Sequence, residues 1–264
     1  MRRTYEIHDL QPYINWAYFY YAWQLRTPDQ QRQSRAEAEQ MLSQLDGKYH
    51  AYALFQLFEA YREGDDIILS SSSMQQPCRC PFLRQQEAGS EHLCLSDFIH
   101  PQYDHIGVFA TSVDHGLETD FDRDTYQKMM VQLLADRLAE AAAERLHEEV
   151  RKEIWGYAPD EHLTMEELHT EKFQGIRPAV GYPSLPDTSL NFVLDKLLEF
   201  RQIGIRLTEH GAMKPHASVS GLMIALPAAH YFSIGKIGED QLHDYAQRRG
   251  LPVEVLRKYL LANL

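Results

Sequence analysis

The sequence predicts an α+β fold. Helix-like and strand-like stretches do not alternate regularly along the 264 residues, which favours α+β over a doubly wound parallel sheet. No repeat of fixed period interrupts the chain, and 44% of its residues are hydrophobic, enough for one packed core. The length of 264 residues fits one large domain or two small ones.

The first half of the chain should hold one helix and three strands. Residues 13–25 are dense in aromatic side chains, and we expect this segment to be buried between parts of the fold. A polar, helix-prone stretch over 27–45 carries apolar residues on one face. Strands are predicted over His50–Phe58, Ile67–Ser71 and Ile106–Thr111, with a turn over 63–66 between the first two.

The second half begins with the longest predicted helix, from Asp124 to Trp155. Its apolar residues recur every four positions, namely Met130, Leu134, Leu138, Ala142, Leu146 and Val150. A second helix should follow Thr164, because Glu167 completes a capping box. Strands are predicted over Ser218–Leu226 and Tyr231–Ile237, then helices over Glu239–Arg249 and Pro252–Leu260.

Charge and cysteine content exclude several classes of protein. A formal charge of −12 argues against nucleic-acid binding. No signal segment or membrane-spanning stretch is apparent, so we expect no membrane association and a cytoplasmic location. The cysteines Cys78, Cys80 and Cys94 are odd in number and do not predict a disulfide framework. Cys78 and Cys80 are separated by one residue, which suits few tetrahedral metal sites, so a structural or incidental role is expected.

The decapeptide Gln174–Pro183 is the strongest local signal of a ligand site. It holds two glycines and two prolines, which favour an irregular loop, together with Arg177 and Tyr182. Such a loop offers backbone groups, a cation and an aromatic face to a nucleotide-like or amino-acid-like ligand. An ordinary connection between elements is the alternative that composition leaves open.

Longer runs give the sequence a resemblance to a known family. They are Ala135–Ala141, Val150–Pro159, Gln174–Pro183, Leu207–Glu209, Ala217–Gly221, Asp244–Ala246 and Arg248–Gly250, with looser matches at Tyr13–Trp16, Gly64–Ile67, Leu83–Gln86 and Cys94–Phe98. Together they resemble the C-terminal activation (reactivation) domain of cobalamin-dependent methionine synthase over essentially the whole chain. The resemblance implies a C-shaped, mixed α/β single domain with a twisted antiparallel sheet.

The resemblance also implies a function. Domains of this family bind S-adenosylmethionine in a shallow groove and support reductive methylation of cob(II)alamin, with an electron from a flavodoxin-like donor. The homocysteine, folate and cobalamin modules are not in these 264 residues. We therefore expect a stand-alone reactivation protein that meets a cobalamin-carrying methionine synthase in trans.

The ligand contacts implied by the resemblance centre on the decapeptide. Arg177 is expected to reach the ligand carboxylate with its forked guanidinium. Ala179 and Gly181 would present backbone groups where a larger side chain would block approach. Tyr182 would face the side of the groove at which the corrin arrives.

The remaining implied contacts are spread along the chain. Glu140 and Glu171 match acids that contact the cationic or hydroxyl-bearing parts of the ligand, and Tyr231 matches a ligand-contacting tyrosine. Asp136 corresponds to an acid that faces the cobalamin ligand histidine, and is therefore a docking residue for the partner. The family's aspartate at the position of Asn15 is replaced by an amide, which loses the charge for a ligand ammonium.

Further departures keep other functions open. Lys214 replaces a tryptophan of the family, and residues 184–206 differ from the family in length and sequence. One alternative is a non-catalytic docking or sensing module for a corrinoid protein that no longer binds S-adenosylmethionine. Another is an enzyme of a different class that uses the groove for another adenosyl ligand, although no catalytic motif supports it.

Overall fold

A curled antiparallel sheet organises the computed structural model, which describes residues 1–264. The strands are β1 Arg2–Glu6, β2 His50–Glu63, β3 Asp66–Ser70, β4 Cys78–Pro81, β5 Asp104–Val113, β6 Arg206–Leu207, β7 Met213–Lys214 and β8 Ser218–Met223. The helices are α1 Ile7–Leu10, α2 Trp16–Ala22, α3 Pro28–Leu45, α4 Gly116–Thr119, α5 Thr125–Glu149, α6 Met165–His169, α7 Asn191–Leu198, α8 Glu239–Arg249 and α9 Val253–Tyr259.

The main sheet has the order β4-β3-β2-β5-β8, and β1 also pairs with β2. β1 pairs with the first residues of β2 and β3 with its last residues, while β5 runs along almost its whole length. All of these pairings are antiparallel. β6 and β7 form a separate two-stranded hairpin. The predicted α+β class is thus confirmed.

The two faces of the sheet are covered by different apolar layers. Phe55 and Phe109 point to the face covered by α5, whereas Leu54 and Val108 point to the opposite face, where α7 packs. This alternation is the period of two that a strand imposes on its side chains. A third cluster joins α8 and α9 to the edge of the fold that holds Leu83.

α5 confirms the prediction of a long helix after Asp124. The Asp124 side chain caps it by accepting a hydrogen bond from the Gln127 amide at 2.9 Å. All six apolar residues of its four-residue repeat are buried. Val150–Ile154 continue the helix as a π-helical turn, and the chain leaves it at Gly156, which has a φ of +74°. The predicted extent to Trp155 therefore matches α5 and this turn together.

Other predicted elements have nearly the observed bounds. α6 begins with the predicted capping box at Thr164, and α3 begins with a capping box at Thr27 that was not predicted. α8 matches its prediction residue for residue, and β2 and β5 are longer than predicted. β1, β4 and α7 were not predicted. Of the nine helices, none is long and apolar enough to cross a membrane.

Two predictions are wrong. Tyr231–Ile237 forms no strand: its one backbone bond to a neighbouring segment near the groove joins the Ile234 amide to the Pro183 carbonyl, and Gly235 turns the chain at a φ of +68°. Residues 13–25 are not buried on every side. The helix α2 inside this segment is amphipathic, with Phe19 buried but Tyr18 and Tyr21 exposed by 61% and 84%.

Candidate functional site

A groove of about 580 Å³ lies between α5, the entry to α2 and the glycine- and proline-rich loop. Its size is that of a pocket for a small organic ligand. The lining residues are Tyr13, Asn15, Tyr18, Arg137, Glu140, Glu144, His169, Glu171, Arg177, Pro178, Ala179, Tyr182, Pro183, Ser184, Val219, Tyr231, Phe232 and Ser233. Seven of the eight predicted ligand contacts are among them, although their positions are far apart in the sequence.

The loop over 174–183 is held along the free edge of β8. The Ile176 amide donates to the Ile224 carbonyl at 2.9 Å and the Ile224 amide donates back at 3.0 Å. Farther along, the Leu222 amide donates to the Pro178 carbonyl at 3.0 Å and the Val180 amide to the Ser220 carbonyl at 2.9 Å. The loop therefore behaves as an irregular extra strand, in which Pro178 has no amide hydrogen to donate.

Gly221 permits this close approach of loop and sheet. A Cβ atom at Gly221 would lie 2.2 Å from the Pro178 carbonyl oxygen and 2.8 Å from the Ala179 Cα. Neither distance is compatible with a side chain, so the residue type at this point of β8 fixes the position of the loop. The backbone on either side of Pro178 is thereby set relative to α5.

Arg177 projects from this loop and forms an ion pair with Glu144 of α5. Its Nη1 and Nη2 atoms donate to the two carboxylate oxygens of Glu144 at 3.1 Å and 2.5 Å, and Nη1 also donates to the Ala143 carbonyl at 3.1 Å. Burial opposes the charges, but the ion pair outweighs it, raising the pKa of Arg177 and lowering the pKa of Glu144. Both groups therefore stay charged at neutral pH.

The guanidinium keeps one edge free. Of its five N–H groups, those bonded to Glu144 and Ala143 leave Nε and the second hydrogen of Nη2 without a protein partner. These two N–H groups lie side by side and match the spacing of a carboxylate's oxygens. Arg177 can thus bind a second carboxylate without releasing Glu144.

The other predicted acids lie on either side of this pair. Glu140, one turn before Glu144 on α5, accepts a hydrogen bond from the Tyr182 hydroxyl at 2.6 Å. Glu171 follows α6 and has a φ of +59°, a left-handed conformation that is uncommon outside glycine. Loss of hydration in the groove and the neighbouring Glu144 raise the pKa of Glu171. Strain of this kind is often kept where a side chain must be aimed at a ligand.

Of the remaining predicted contacts, Tyr231 and Asn15 line the groove and Gly181 does not. The Tyr231 hydroxyl accepts a hydrogen bond from the Arg177 amide at 2.9 Å. Asn15 caps α2, because its side-chain oxygen accepts from the Ala17 amide at 3.1 Å. Gly181 is outside the lining, and its amide donates to the Leu185 carbonyl at 2.8 Å, so it shapes the turn.

Asp136 also lies outside the lining. It sits one turn before Glu140 on α5, and its partial burial raises the pKa of its carboxyl group. An acid on this part of α5 can face a partner that approaches along the helix, but it cannot be counted among the residues around the groove.

Sequence reasoning missed several lining residues. Glu144 is the main one, and its signal was available, because it follows Glu140 by four positions and so shares its helix face. Arg137 precedes Glu140 by three, which places it on the same side, with its guanidinium carbon 5.6 Å from the centre of the Tyr18 ring. His169, whose Nε2 lies 3.1 Å from the Tyr13 carbonyl oxygen, had no distinguishing signal.

The groove wall is backed by a buried polar layer. His147, one turn after Glu144, is fully buried with its Nε2 atom 3.2 Å from the Tyr157 hydroxyl. Burial and the nearby Arg177 and Arg151 lower the pKa of His147 well below its ordinary value. Arg151 is itself buried and binds the Glu161 carboxylate at 2.6 Å. A neutral imidazole and a neutralised guanidinium thus fill the space behind the ion pair of the groove.

The charges of the lining suit a zwitterionic ligand with an excess positive charge. Three carboxylates and two guanidinium groups face the groove. A ligand with a carboxylate at one end and cationic groups at the other would meet opposite charges at both ends. The aromatic rings of Tyr18, Tyr182 and Phe232 add flat apolar surface to the lining.

Comparison with known proteins agrees with these features. Residues 6–250 match the family model described as "Vitamin B12 dependent methionine synthase, activation domain". The fold matches a crystal structure of the MetH reactivation domain bound to AdoHcy with a TM-score of 0.92 and 36% sequence identity, over 100% of this chain and 90% of that chain. Both the resemblance seen in the sequence and the single-domain fold that it implied are confirmed.

Proposed function

Because the chain belongs to the family of vitamin B12-dependent methionine synthase activation domains, we propose that its groove binds S-adenosylmethionine and that it supports reductive methylation of cob(II)alamin. The cobalamin is carried by a methionine synthase, on which this chain acts in trans. An electron from a flavodoxin-like donor and a cytoplasmic location belong to the same proposal.

The free edge of Arg177 is the observation that carries the proposal. The Glu144 pair fixes the guanidinium and leaves the Nε hydrogen and the second Nη2 hydrogen without a partner. We assign these two groups to the ligand carboxylate, since a bidentate contact to a fixed guanidinium costs little ordering entropy. Backbone atoms of Ala179, on the same loop, would contact the ligand beside it.

The cationic groups of the ligand are assigned to the acids of the groove. Glu140 and Glu171 would face the ammonium, the sulfonium or the ribose hydroxyls, and Tyr182 and Tyr231 would border the ligand on the loop side. The cobalt centre is the nucleophile in methyl transfer from a sulfonium, so no residue of this chain is needed as a general base. Its contribution is positioning and electrostatics.

Asn15 does not favour the alternative of a module that has lost the ligand. Its side-chain oxygen is engaged as the cap of α2, a role that asparagine and aspartate fill equally well. The charge that the amide lacks is present nearby on three other carboxylates of the groove. Asn15 would therefore contact the ligand through its amide hydrogens, as a donor or through water.

The first experiment is calorimetric titration of the protein with S-adenosylmethionine. Arg177→Lys keeps a positive charge beside Glu144 but lacks the side-on edge, so it should bind at least tenfold more weakly, about 1.4 kcal/mol, and its unfolding temperature is measured alongside to check that it is folded. Glu171→Gln should also bind more weakly, whereas Glu166→Gln, on the exposed side of α6 outside the groove, should match the wild type. Absence of saturable binding to the wild type would overturn the binding proposal and favour the docking module.

The second experiment tests the role in reactivation. A methionine synthase held as inactive cob(II)alamin is mixed with S-adenosylmethionine and a reductant, with or without this protein, and methylcobalamin is followed by its absorbance. More methylcobalamin in the presence of the protein is expected, and less with Arg177→Lys. Equal yields with and without the protein, despite calorimetric binding, would refute the in-trans role alone.

A further inference from the structure

Two cysteine thiols lie in contact on β4, away from the groove. The sulfur atoms of Cys78 and Cys80 are 3.9 Å apart. β4 is at one end of the main sheet, whereas β8, which holds the groove loop, is at the other. The third cysteine, Cys94, is fully buried and accepts a hydrogen bond from the Ser96 hydroxyl at 3.2 Å.

The two thiols of the pair have different environments. Cys78 is partly exposed, and the positive charges of Lys196 and Arg249 favour its thiolate, whereas Cys80 is 2% exposed. The hydrogen bond from the Cys80 thiol, helped by the two cations, lowers the pKa of Cys78 to about 7. The same bond and burial raise the pKa of Cys80. An accessible thiol that ionises readily thus lies next to a buried thiol that stays protonated.

We propose that Cys78 and Cys80 form a redox-active dithiol that small-molecule disulfides oxidise. The Cys78 thiolate attacks one sulfur of the disulfide, which forms a mixed disulfide and releases one thiolate. The Cys80 thiol then gives up its proton and attacks the Cys78 sulfur, which forms the internal disulfide and releases the second thiol. Each chain loses two electrons and two protons, and the small disulfide is reduced to two thiols.

The position of the pair on an edge strand makes this bond readily reversible. Alternate Cα atoms along an extended strand lie about 6.6 Å apart, near the upper limit of about 6.8 Å for disulfide-bonded residues. Oxidation must therefore draw Cys78 and Cys80 together and disturb their pairing with Leu69 and Ile67 of β3. β4 pairs on one side only, so this disturbance is local, and a disulfide formed under such constraint is easily reduced.

Intact-mass measurement after incubation with oxidised glutathione tests the proposal. The wild-type protein should lose the mass of two hydrogens, carry no glutathione, and return to its original mass with dithiothreitol. Cys80→Ser should hold one glutathione on Cys78, since no second thiol is in reach. Cys78→Ser should react at least tenfold more slowly, and the control Cys94→Ser should behave as the wild type.

Three results would overturn the proposal. The wild-type protein could stay fully reduced, or it could accumulate glutathione without forming the internal disulfide. In the third, the Cys94→Ser variant no longer forms that disulfide. Equal reaction of Cys78→Ser and Cys80→Ser would equally contradict the assigned roles. Thermal unfolding checks that each variant is folded, and Cys80→Ala replaces Cys80→Ser if the hydroxyl is not tolerated in the buried site. None of these readouts depends on the groove or its ligand.

Discussion

Replacing Gly221 by alanine should separate the groove loop from the sheet. Gly221 has no positive φ, so alanine can adopt its backbone conformation, and the effect arises from contact alone. The new Cβ would lie 2.2 Å from the Pro178 oxygen. To restore an ordinary contact the loop must move outward by about 1 Å.

The size of the effect follows from the bonds that this movement breaks. The nearest two are the Leu222 amide to the Pro178 carbonyl and the Val180 amide to the Ser220 carbonyl. At about 1 kcal/mol each, their loss lowers the free energy of unfolding by about 2 kcal/mol. For a chain of this size the unfolding temperature should fall by about 4–8 °C. Arg177 lies on the same loop and would lose its alignment with the ligand. The affinity of the protein for S-adenosylmethionine should therefore fall by about tenfold.

Thermal unfolding and calorimetric titration measure the two effects. Gly204→Ala is the matched control, because Gly204 has a φ of +78° and no neighbour within 4 Å of its hypothetical Cβ. It should cost about 1 kcal/mol of left-handed strain but leave ligand affinity unchanged. A Gly221→Ala protein with wild-type unfolding temperature and wild-type affinity would refute the idea that close packing of loop and sheet sets the groove.

Three further changes test the groove and its wall. Tyr182→Phe removes the bond to Glu140 and should lower the unfolding temperature by about 2–4 °C, measured by circular dichroism. His147→Phe should flatten the pH dependence of urea unfolding, because the depressed pKa of folded His147 makes wild-type stability fall as pH drops below about 6.5, by at most about 1.4 kcal/mol per pH unit. Glu144→Gln should destabilise by about 3 kcal/mol at neutral pH, since it leaves Arg177 without its counter-charge. The lowered pKa of Glu144 means that this difference shrinks below about pH 4.5, where the wild-type carboxylate is protonated in the unfolded chain and then in the folded one.

The elements that could be predicted from sequence are those whose signals are local. The four-residue repeat predicts α5 and the capping box at Thr164 predicts α6, because each signal lies within the helix that it predicts. β4 was missed because prolines flank its two cysteines, and prolines at such spacing are typical of a turn. The prediction of a strand over Tyr231–Ile237 was wrong because its apolar residues pack against other segments without a neighbouring strand to hydrogen-bond with.

The sequence predicted most of the residues that line the groove, but not the contacts between them. Resemblance to the family located Arg177, Glu140 and Glu171, but not that Glu144 holds the guanidinium. The resemblance also did not show that the loop pairs with the sheet as an added strand. Pro178 has no backbone N–H group, and a proline within a segment argues against a strand. These relations join segments far apart in the chain, and only the folded structure brings them together.

Pairing Arg177 with Glu144 also resolves an apparent conflict in the groove. A buried guanidinium without a counter-charge would be costly before the ligand arrives, yet one fully neutralised by protein groups would have little left to offer. Glu144 occupies the end of the guanidinium and leaves its side free, so the charge is compensated and the donor edge is preserved. With Glu140 and Glu171 on either side, the groove keeps an excess negative charge for the cationic part of the ligand. One arginine can then serve both stability and binding, because the two roles use different edges of the same guanidinium.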